Sequence, residues 1–222
     1  MTFILLGYLA SEMTGKVTYE RVYANLTRAI DGDTFDSDIG KVRLLGINTP
    51  EKKQPFYKEA KDYLTGYEGK TVEIETRSKD KYDRTLGYVY YSDILVNKGI
   101  LELGLANLYY YEKDENYESM KKAEEFARNN GMGIWKKSDN ESCVELVNLK
   151  YVEQERCNNQ EQLIINNNCG SMNVSLKDDA NHIERFILKQ GVYIKNFSCV
   201  WNDAGDSLFL RDESGILLFY RY

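Results

Sequence analysis

The chain changes character once, at the polar segment 136–142, and this change constrains its fold more than any other feature. Before the segment, alternating apolar stretches are mixed with stretches of helical periodicity. After it, short alternating stretches are separated by Asn, Asp and Gly. Because 222 residues suffice for two modest domains, we predict one domain at residues 20–137 and a second at residues 143–222.

The first domain is predicted to be mainly β with α. Strands are expected at Val17–Thr27, Phe35–Ile39 and Val42–Ile47 and in the stretches KTVEIETRS and RTLGYVYYSDILVN. One helix is expected to start at the Thr-Pro-Glu of residues 49–51, and the clearest helix lies in NYESMKKAEEFARNNGMGIW. Several strands, with one helix among them and another at the end, predict an OB-type five-stranded barrel with helices.

The last part of the chain predicts a separate β domain. Its alternating stretches are CVELVNLKYV, EQLIINN, MNVSLKDD, ERFILKQGVYIKN and DSLFLRDESGILLFYRY. Short strands at close spacing, with turn residues between them, are typical of an immunoglobulin-like β-sandwich. In the last stretch we expect Leu208 and Leu210 to point inward, with Ser207, Phe209 and Arg211 on the other face.

All four cysteines, Cys143, Cys157, Cys169 and Cys199, lie in the second domain. This confinement suits two disulfides and an oxidising compartment, and the alternative is four buried free thiols. The apolar run Phe3–Leu9 lacks the basic leading residues of a good signal peptide and is only a weak indication of export.

The net charge of −6 argues against bulk electrostatic attraction to nucleic acid. The first 137 residues carry 21 basic and 22 acidic side chains, whereas the last 85 carry 8 and 13. A polyanion-binding site is therefore expected in the first domain, where local basic clusters can form it. No apolar run approaches the ~20 residues of a spanning helix, so we expect no membrane span.

The stretch IDGDTFDSDIGKVRLLGINTPEKK, residues 30–53, concentrates charged groups. Asp31 and Asp33 flank a glycine at a turn, and grouped hard oxygen ligands suit Ca²⁺ or Mg²⁺. Arg43 lies within an apolar strand, where its charge is costly unless the head reaches an anion. Glu51 follows at the rim of the barrel, where a carboxylate can take a proton from water.

A second basic cluster, Lys81 and Arg84, lies on the loop DKYDR before another strand. Two arginines, a metal site and one glutamate are the groups that phosphodiester hydrolysis requires, because cations offset the charge that develops on the phosphate. The spacing of these residues along the chain therefore favours, but does not settle, a phosphodiesterase.

Each residue also has an ordinary structural explanation. Asp-Gly is a common turn pair, and Thr49 with Pro50 is a routine helix start. Arg43 can pair with a structural carboxylate, and the basic loop 81–84 can be solvated. The tyrosines at 109–111 suit core and rim packing as well as they suit a base-stacking platform.

Five dispersed motifs resemble one family. The motifs AIDGDTF, KVRLLGINTPE, DKYDRTLGYVY, VNKGILELGLANLYYY and AEEFARNNGMGIW follow one another over about residues 20–137. Together they resemble the staphylococcal nuclease (thermonuclease) family. The resemblance implies an OB-type barrel and a calcium-dependent endonuclease that hydrolyses DNA and RNA with little sequence specificity.

The resemblance also implies roles for individual residues. The implied catalytic residues are Arg43, Glu51 and Arg84, with Glu51 activating water and the two arginines clamping the phosphate. The implied ligands for Ca²⁺ are Asp33, Asn48 and the backbone carbonyl of Thr49. The implied substrate-binding residues are Lys81, Tyr82 and Tyr110.

Three positions depart from the family pattern. Asn48 stands where a carboxylate is usual, so we expect weaker calcium binding and expect Asn48→Asp to tighten it. Asp83 replaces a glycine and is expected to orient or partly neutralise Arg84, and Glu112 replaces a tyrosine. The alternative functions are a catalytically weakened nucleic-acid-binding module and a surface adhesion or scaffold protein.

The end of the chain resembles a lamin-tail domain. The residues that carry the resemblance are Trp201, Asn202, Gly205, Asp206, Leu208, Leu210, Arg211, Asp212 and Gly215. A nuclease joined to a lamin-tail domain implies an exported protein, so we expect a secreted or cell-surface location, with a cytoplasmic one as the alternative. The acidic balance of this domain suits docking to a protein or cell surface, and the alternative is a passive stabilising appendage.

Overall fold

A computed structural model describes residues 19–110, 112–151, 161–180, 182–201 and 206–222. Several features singled out in the sequence lie wholly or partly outside these ranges: the run Phe3–Leu9, the start of the strand predicted from Val17, Tyr111, Cys157, Asn202 and Gly205. Within the described ranges, no helix is both long enough and apolar enough to cross a bilayer.

The first half of the chain forms a closed barrel. Its strands are β1 (Arg21–Ala29), β2 (Thr34–Ser37), β3 (Gly40–Leu44), β4 (Ile47–Asn48), β5 (Thr71–Lys79), β6 (Thr85–Tyr91), β7 (Ile94–Leu95) and β8 (Asn107–Leu108). The order β3-β2-β1-β5-β6 closes on itself because β3 pairs with β6 in parallel, with Val42 opposite Thr85. The prediction of an OB-type five-stranded barrel is confirmed.

Three helices cover the barrel: α1 (Tyr57–Thr65), α2 (Val96–Glu102) and α3 (Tyr117–Asn129). The prediction that the first helix starts at residues 49–51 is wrong, because α1 begins only at Tyr57. Pro55 lacks an N–H and disfavours helical backbone at the residue before it, and Phe56 has a left-handed φ of 66°. Residues 50–56 are consequently a turn-rich segment that leaves Glu51 beside the barrel rim.

The second half forms two antiparallel sheets around their own core. The strands are β9 (Val144–Lys150), β10 (Glu161–Asn167), β11 (Met172–Lys177), β12 (Ile183–Leu188), β13 (Gly191–Phe197), β14 (Ser207–Arg211) and β15 (Ile216–Arg221). One sheet has the order β13-β10-β9 and the other β12-β11-β14-β15. Leu163, Ile165, Leu176 and Leu208 are fully buried between them, around Trp201, as a β-sandwich requires.

A disulfide ties the edge of this sandwich. Cys143, just before β9, is bonded to Cys169, just after β10, and Cys199 is also disulfide-bonded. The described part of the chain holds no free cysteine, so the alternative of four free thiols is wrong. A cross-link that closes a loop of this length, with a sequence separation of 26, lowers the entropy of the unfolded chain.

The two halves meet through an aromatic cluster. Trp135, which follows α3 and is 2% exposed, packs on Phe209 and Phe219 with ring centroids 5.4 and 5.0 Å away. Leu208 and Leu210 point into the sandwich as predicted, and Phe209 lies on the other face of β14. That other face is covered by the first domain rather than by solvent, which alternation along the strand alone does not reveal.

A buried ion pair reinforces the same contact. Glu124 on α3 is fully buried and is paired with Arg221 on β15, whose Nη2 donates to Glu124 Oε1 at 3.1 Å. The same carboxylate accepts a hydrogen bond from the backbone N–H of Leu108 at 2.8 Å. Burial would lower the pKa of Arg221, but the neighbouring carboxylates raise it, so the arginine stays charged.

We predict that Arg221→Met lowers the free energy of unfolding by about 3–5 kcal/mol, since it leaves the Glu124 carboxylate buried without its cation. Chemical denaturation of the full chain measures this change. The matched control is Arg185→Met, on an exposed part of β12, which should change stability by no more than about 0.5 kcal/mol. An Arg221→Met variant as stable as the wild type would contradict a buried role for the pair.

Candidate active site

A cleft of about 1060 Å³ opens beside β3 and β4. It is bordered by the β1–β2 turn, the β5–β6 loop and the segment after β8, and Ala180 of the second domain completes its lining. Eight of the nine predicted site residues line it: Asp33, Arg43, Asn48, Glu51, Lys81, Tyr82, Arg84 and Tyr110. The ninth, Thr49, lies just behind this lining.

The β1–β2 turn brings two carboxylates together. Asp31 Oδ1 accepts a hydrogen bond from the Asp33 N–H at 3.1 Å, so the turn is closed by its own side chain. Gly32 between them has no room for a side chain, because a Cβ there would lie 2.9 Å from Thr49 and 2.7 Å from Ala60. Burial, followed by the charge of Asp33, raises the pKa of Asp31 to about 6.

Asp33 is held firmly. It is 7% exposed, and its Oδ2 accepts hydrogen bonds from the backbone N–H and the hydroxyl of Thr49 at 3.2 and 3.1 Å. Its Oδ1 accepts from the Thr34 hydroxyl at 2.9 Å. Thr49 therefore positions a carboxylate of the site through two donors, in addition to the carbonyl role inferred for it.

Arg43 reaches into this carboxylate cluster from β3. Its Nη1 donates to the carbonyls of Leu44 and Ile47 at 3.0 and 3.2 Å, which fixes the guanidinium plane. Its Nη2 lies 3.4 Å from Asn48 Oδ1 and 3.5 Å from Asp33 Oδ2. The arginine is thus partly neutralised by Asp33 and still lines the cleft.

Arg84 is oriented by a residue that the sequence did not single out. Asp80 Oδ2 accepts from Arg84 Nε at 2.7 Å, and Asp80 Oδ1 accepts from the backbone N–H groups of Tyr82 and Arg84. Asp83 instead pairs with Lys79 at 2.6 Å and has a left-handed φ of 61°, which is why glycine suits this position. The expectation that Asp83 orients Arg84 is wrong, and the signal that was available is the Asp-x-x-x-Arg spacing from residue 80.

The remaining predicted side chains differ in their exposure to solvent in the cleft. The ring of Tyr82 is 68% exposed and lies about 5 Å from both Lys81 Nζ and Arg84 Cζ, at 5.1 and 5.5 Å. Tyr110 forms the wall of the cleft, with its hydroxyl 2.9 Å from that of Tyr88. Burial raises the pKa of Tyr110, so it is a neutral wall rather than an acid or base.

Asn48 makes a contact that no local sequence pattern reveals. Its Nδ2 donates to the backbone carbonyls of Asp179 and Ala180 in the second domain, at 3.1 and 2.8 Å. The carboxylate usual at this position could not donate these bonds, because an ionised carboxylate only accepts hydrogen bonds. The second domain thus gives a physical reason for asparagine at this position.

The oxygen groups of the site fit a hard cation. Asp31 and Asp33 supply two carboxylates on one turn, and Asn48 Oδ1 and Asp33 Oδ2 lie 3.4 and 3.5 Å from the same Arg43 nitrogen. Calcium accepts carboxylate, amide and backbone carbonyl oxygens together with water. The described residues contain no group of three or more acidic, histidine or cysteine side chains arranged as a metal site.

Comparison with known proteins agrees with the barrel and its cleft. The family model described as staphylococcal nuclease homologue matches residues 41–137. The thermonuclease of Staphylococcus intermedius is 34% identical over 125 residues, which is 50% of this chain and 74% of that protein. The thermonuclease of Staphylococcus hyicus is 32% identical, covering 52% and 76%. The SPbeta prophage-derived endonuclease YokF of Bacillus subtilis is 33% identical, covering 54% and 46%.

The fold and cleft thus define an OB-type barrel with an acidic turn and two arginines in one site. The chain belongs to the staphylococcal nuclease family. The family match ends at residue 137, where the second domain begins to pack against the barrel.

We predict that Asn48→Asp loosens the turn at residues 178–180, because the new carboxylate faces two carbonyl oxygens instead of donating to them. This effect opposes the gain in calcium binding expected from the added charge. Hydrogen exchange read by mass spectrometry should show faster exchange of the Asp179 amide, which is bonded to Asp206 Oδ1 at 3.0 Å.

The matched control for this substitution is Asn148→Asp, the same change on an exposed part of β9. Exchange at residues 178–180 should be unchanged in this variant. Equal exchange in Asn48→Asp and wild type would show that the two side-chain hydrogen bonds do not hold the turn.

Proposed function

We propose that this protein is a calcium-dependent endonuclease of the thermonuclease type, hydrolysing phosphodiester bonds of DNA and RNA with little sequence specificity. The relatives at 32–34% identity support a nuclease function and nucleic-acid substrates. The observation that carries the proposal is the convergence of Arg43, Arg84 and Glu51 in one cleft beside Asp33.

The charge balance of the cleft supports a divalent cation. Its lining holds seven acidic side chains against five basic ones. A polyanion entering such a cleft meets net repulsion, which one divalent ion would cancel.

Each group in the cleft would have a separate role in the reaction. A bound calcium ion, held by Asp33, Asn48 Oδ1 and the Thr49 carbonyl, would supply Lewis-acid stabilisation of the phosphate. Glu51, exposed at the rim, would take a proton from the attacking water. Arg43 and Arg84 would donate to phosphate oxygens as negative charge develops, with Asp80 keeping the Arg84 fork in place.

Broad sequence tolerance follows from the same groups. Arg43, Arg84 and Lys81 are suited to phosphate oxygens, and contacts to the backbone carry no sequence information. Tyr82 and Tyr110 present rings along the cleft, with Tyr82 the more exposed, and a stacked base of any kind can pack on such a ring. Lys81, Tyr82 and Tyr110 would thus hold substrate without selecting a base.

We assign the second domain, residues 143–222, to the lamin-tail type and the nuclease domain to residues 20–137. The two-sheet sandwich supports this assignment. A secreted or cell-surface location is supported by the Cys143–Cys169 disulfide, since disulfides persist in oxidising compartments. The acidic excess of this domain favours docking to a protein or cell surface.

The proposal predicts that purified full-length protein degrades plasmid DNA and RNA with calcium and not with a chelator. Glu51→Gln should lower the rate by about 10²-fold or more, since it removes the base that accepts the proton from water. The matched control is Glu59→Gln on the exposed face of α1, which should cleave at the wild-type rate.

Two other results would redirect the assignment. A shift of DNA mobility in a gel without cleavage would indicate a binding module that has lost catalysis. Asn48 would then be the first residue to test as the cause of that loss. A protein that neither binds nor cleaves nucleic acid would instead support an adhesion or scaffold role. Cleavage by Glu51→Gln at the wild-type rate would place the general base elsewhere.

A further inference from the structure

The turn between β11 and β12, residues 178–180, presents backbone carbonyls to the nuclease domain. The Asp179 carbonyl oxygen accepts from Asn48 Nδ2 and Asn107 Nδ2, each at 3.1 Å, and lies 3.5 Å from Lys177 Nζ. The Ala180 carbonyl accepts a second bond from Asn48 at 2.8 Å. Ala180 itself lines the cleft beside Glu51.

This turn is also held by hydrogen bonds to residues of its own domain. The Asp179 N–H donates to Asp206 Oδ1 at 3.0 Å, and the His182 N–H donates to Asp178 Oδ1 at 3.0 Å. Arg221, which also pairs with Glu124, donates to Asp179 Oδ1 at 3.2 Å. The carbonyls at 179 and 180 therefore form a preorganised acceptor pair rather than a loose loop end.

The two asparagines that meet this turn are neighbours in the barrel. Asn48 and Asn107 are directly opposite each other in the β4–β8 pair, and both are 3% exposed. With Nδ2 of Asn48 directed at the turn, its Oδ1 faces Arg43 Nη2 at 3.4 Å. A reversed amide would bring Oδ1 against two carbonyl oxygens, so the turn selects which atom faces the acidic cluster.

We propose that the 178–180 turn of the second domain is a positioning element of the nuclease site, holding Asn48 so that its Oδ1, and not its Nδ2, faces the cation site. Asn48 thereby couples the docking of the second domain to the calcium affinity of the first. The inference rests on the proposed calcium-dependent function. It adds that cation affinity depends on residues more than 130 positions away in the chain.

Lys177 is not among the residues that line the cleft, so its substitution loosens the turn without removing a cleft side chain. Its Nζ donates to the Asp178 carbonyl at 3.0 Å, approaches Asn107 Oδ1 at 3.5 Å, and lies 5.4 Å from the centroid of the Phe209 ring. Burial lowers the pKa of Lys177 despite nearby carboxylates, so this ammonium is held at a desolvation cost. Methionine keeps the apolar stem and removes the donors.

The test compares Lys177→Met with wild type in full-length protein by calcium calorimetry and by DNA cleavage over a calcium titration. We expect the calcium Kd to rise at least threefold in both assays, while the cleavage rate at saturating calcium stays within twofold of wild type. The matched control is Lys195→Met, which removes a lysine paired with Glu184 at 2.9 Å in the same domain and should leave the calcium Kd unchanged.

The outcomes separate the two claims. A wild type that neither binds calcium nor cleaves overturns the proposed function and this inference with it. A wild type that does both, beside a Lys177→Met variant with an unchanged calcium Kd, overturns the inference alone. A variant that loses rate at saturating calcium with unchanged affinity also overturns it, because positioning of a ligand would then not be the effect.

If the Lys177→Met variant does not fold, a second measurement on the wild type tests the inference. In the wild type, nuclear magnetic resonance follows hydrogen exchange of the Asn48 side-chain amide. Protection at least tenfold above that of the exposed Asn148 side chain supports the inference. Equal exchange rates overturn it, since the carbonyls of the turn would then not hold the amide.

Discussion

The guanidinium of Arg43 has to be neutralised inside the barrel wall, and the groups that neutralise it are the groups that form the site. The carbonyls of Leu44 and Ile47 fix its plane, while Asp33 and Asn48 share its outer nitrogen. An arginine at this position without such partners would be costly to bury. One charge thereby ties together the β1–β2 turn, β3 and β4, which carry Asp33, Arg43 and Asn48 respectively.

The second domain packs against the nuclease domain and contacts Asn48, a residue of the same site. Aromatic packing around Trp135 and the buried Glu124–Arg221 pair bring the sandwich against α3. The same contact delivers the 178–180 turn to Asn48. Even the polar segment between the domains is ordered, since Ser138 donates to Asp212 at 2.6 Å. In this chain the amide at position 48 has partners in both domains.

The sequence predicts what is local or periodic, and it does not reveal what depends on distant partners. Helix α3 follows from the spacing of its apolar residues. The late start of α1 is a local effect of Pro55 that the Thr-Pro-Glu pattern obscures. The hydrogen bonds of Asn48 join residues about 130 positions apart, and no spacing rule reports such a contact.

The most direct measurement is a crystal structure of the full chain with calcium, using anomalous scattering to locate the ion. We expect calcium within about 2.3–2.6 Å of a carboxylate oxygen of Asp33 and of Asn48 Oδ1. In the same crystal, Asn48 Nδ2 should still donate to the carbonyls at 179 and 180. Calcium bound away from Asp33, or an Asn48 amide detached from the turn while calcium is bound, would contradict it.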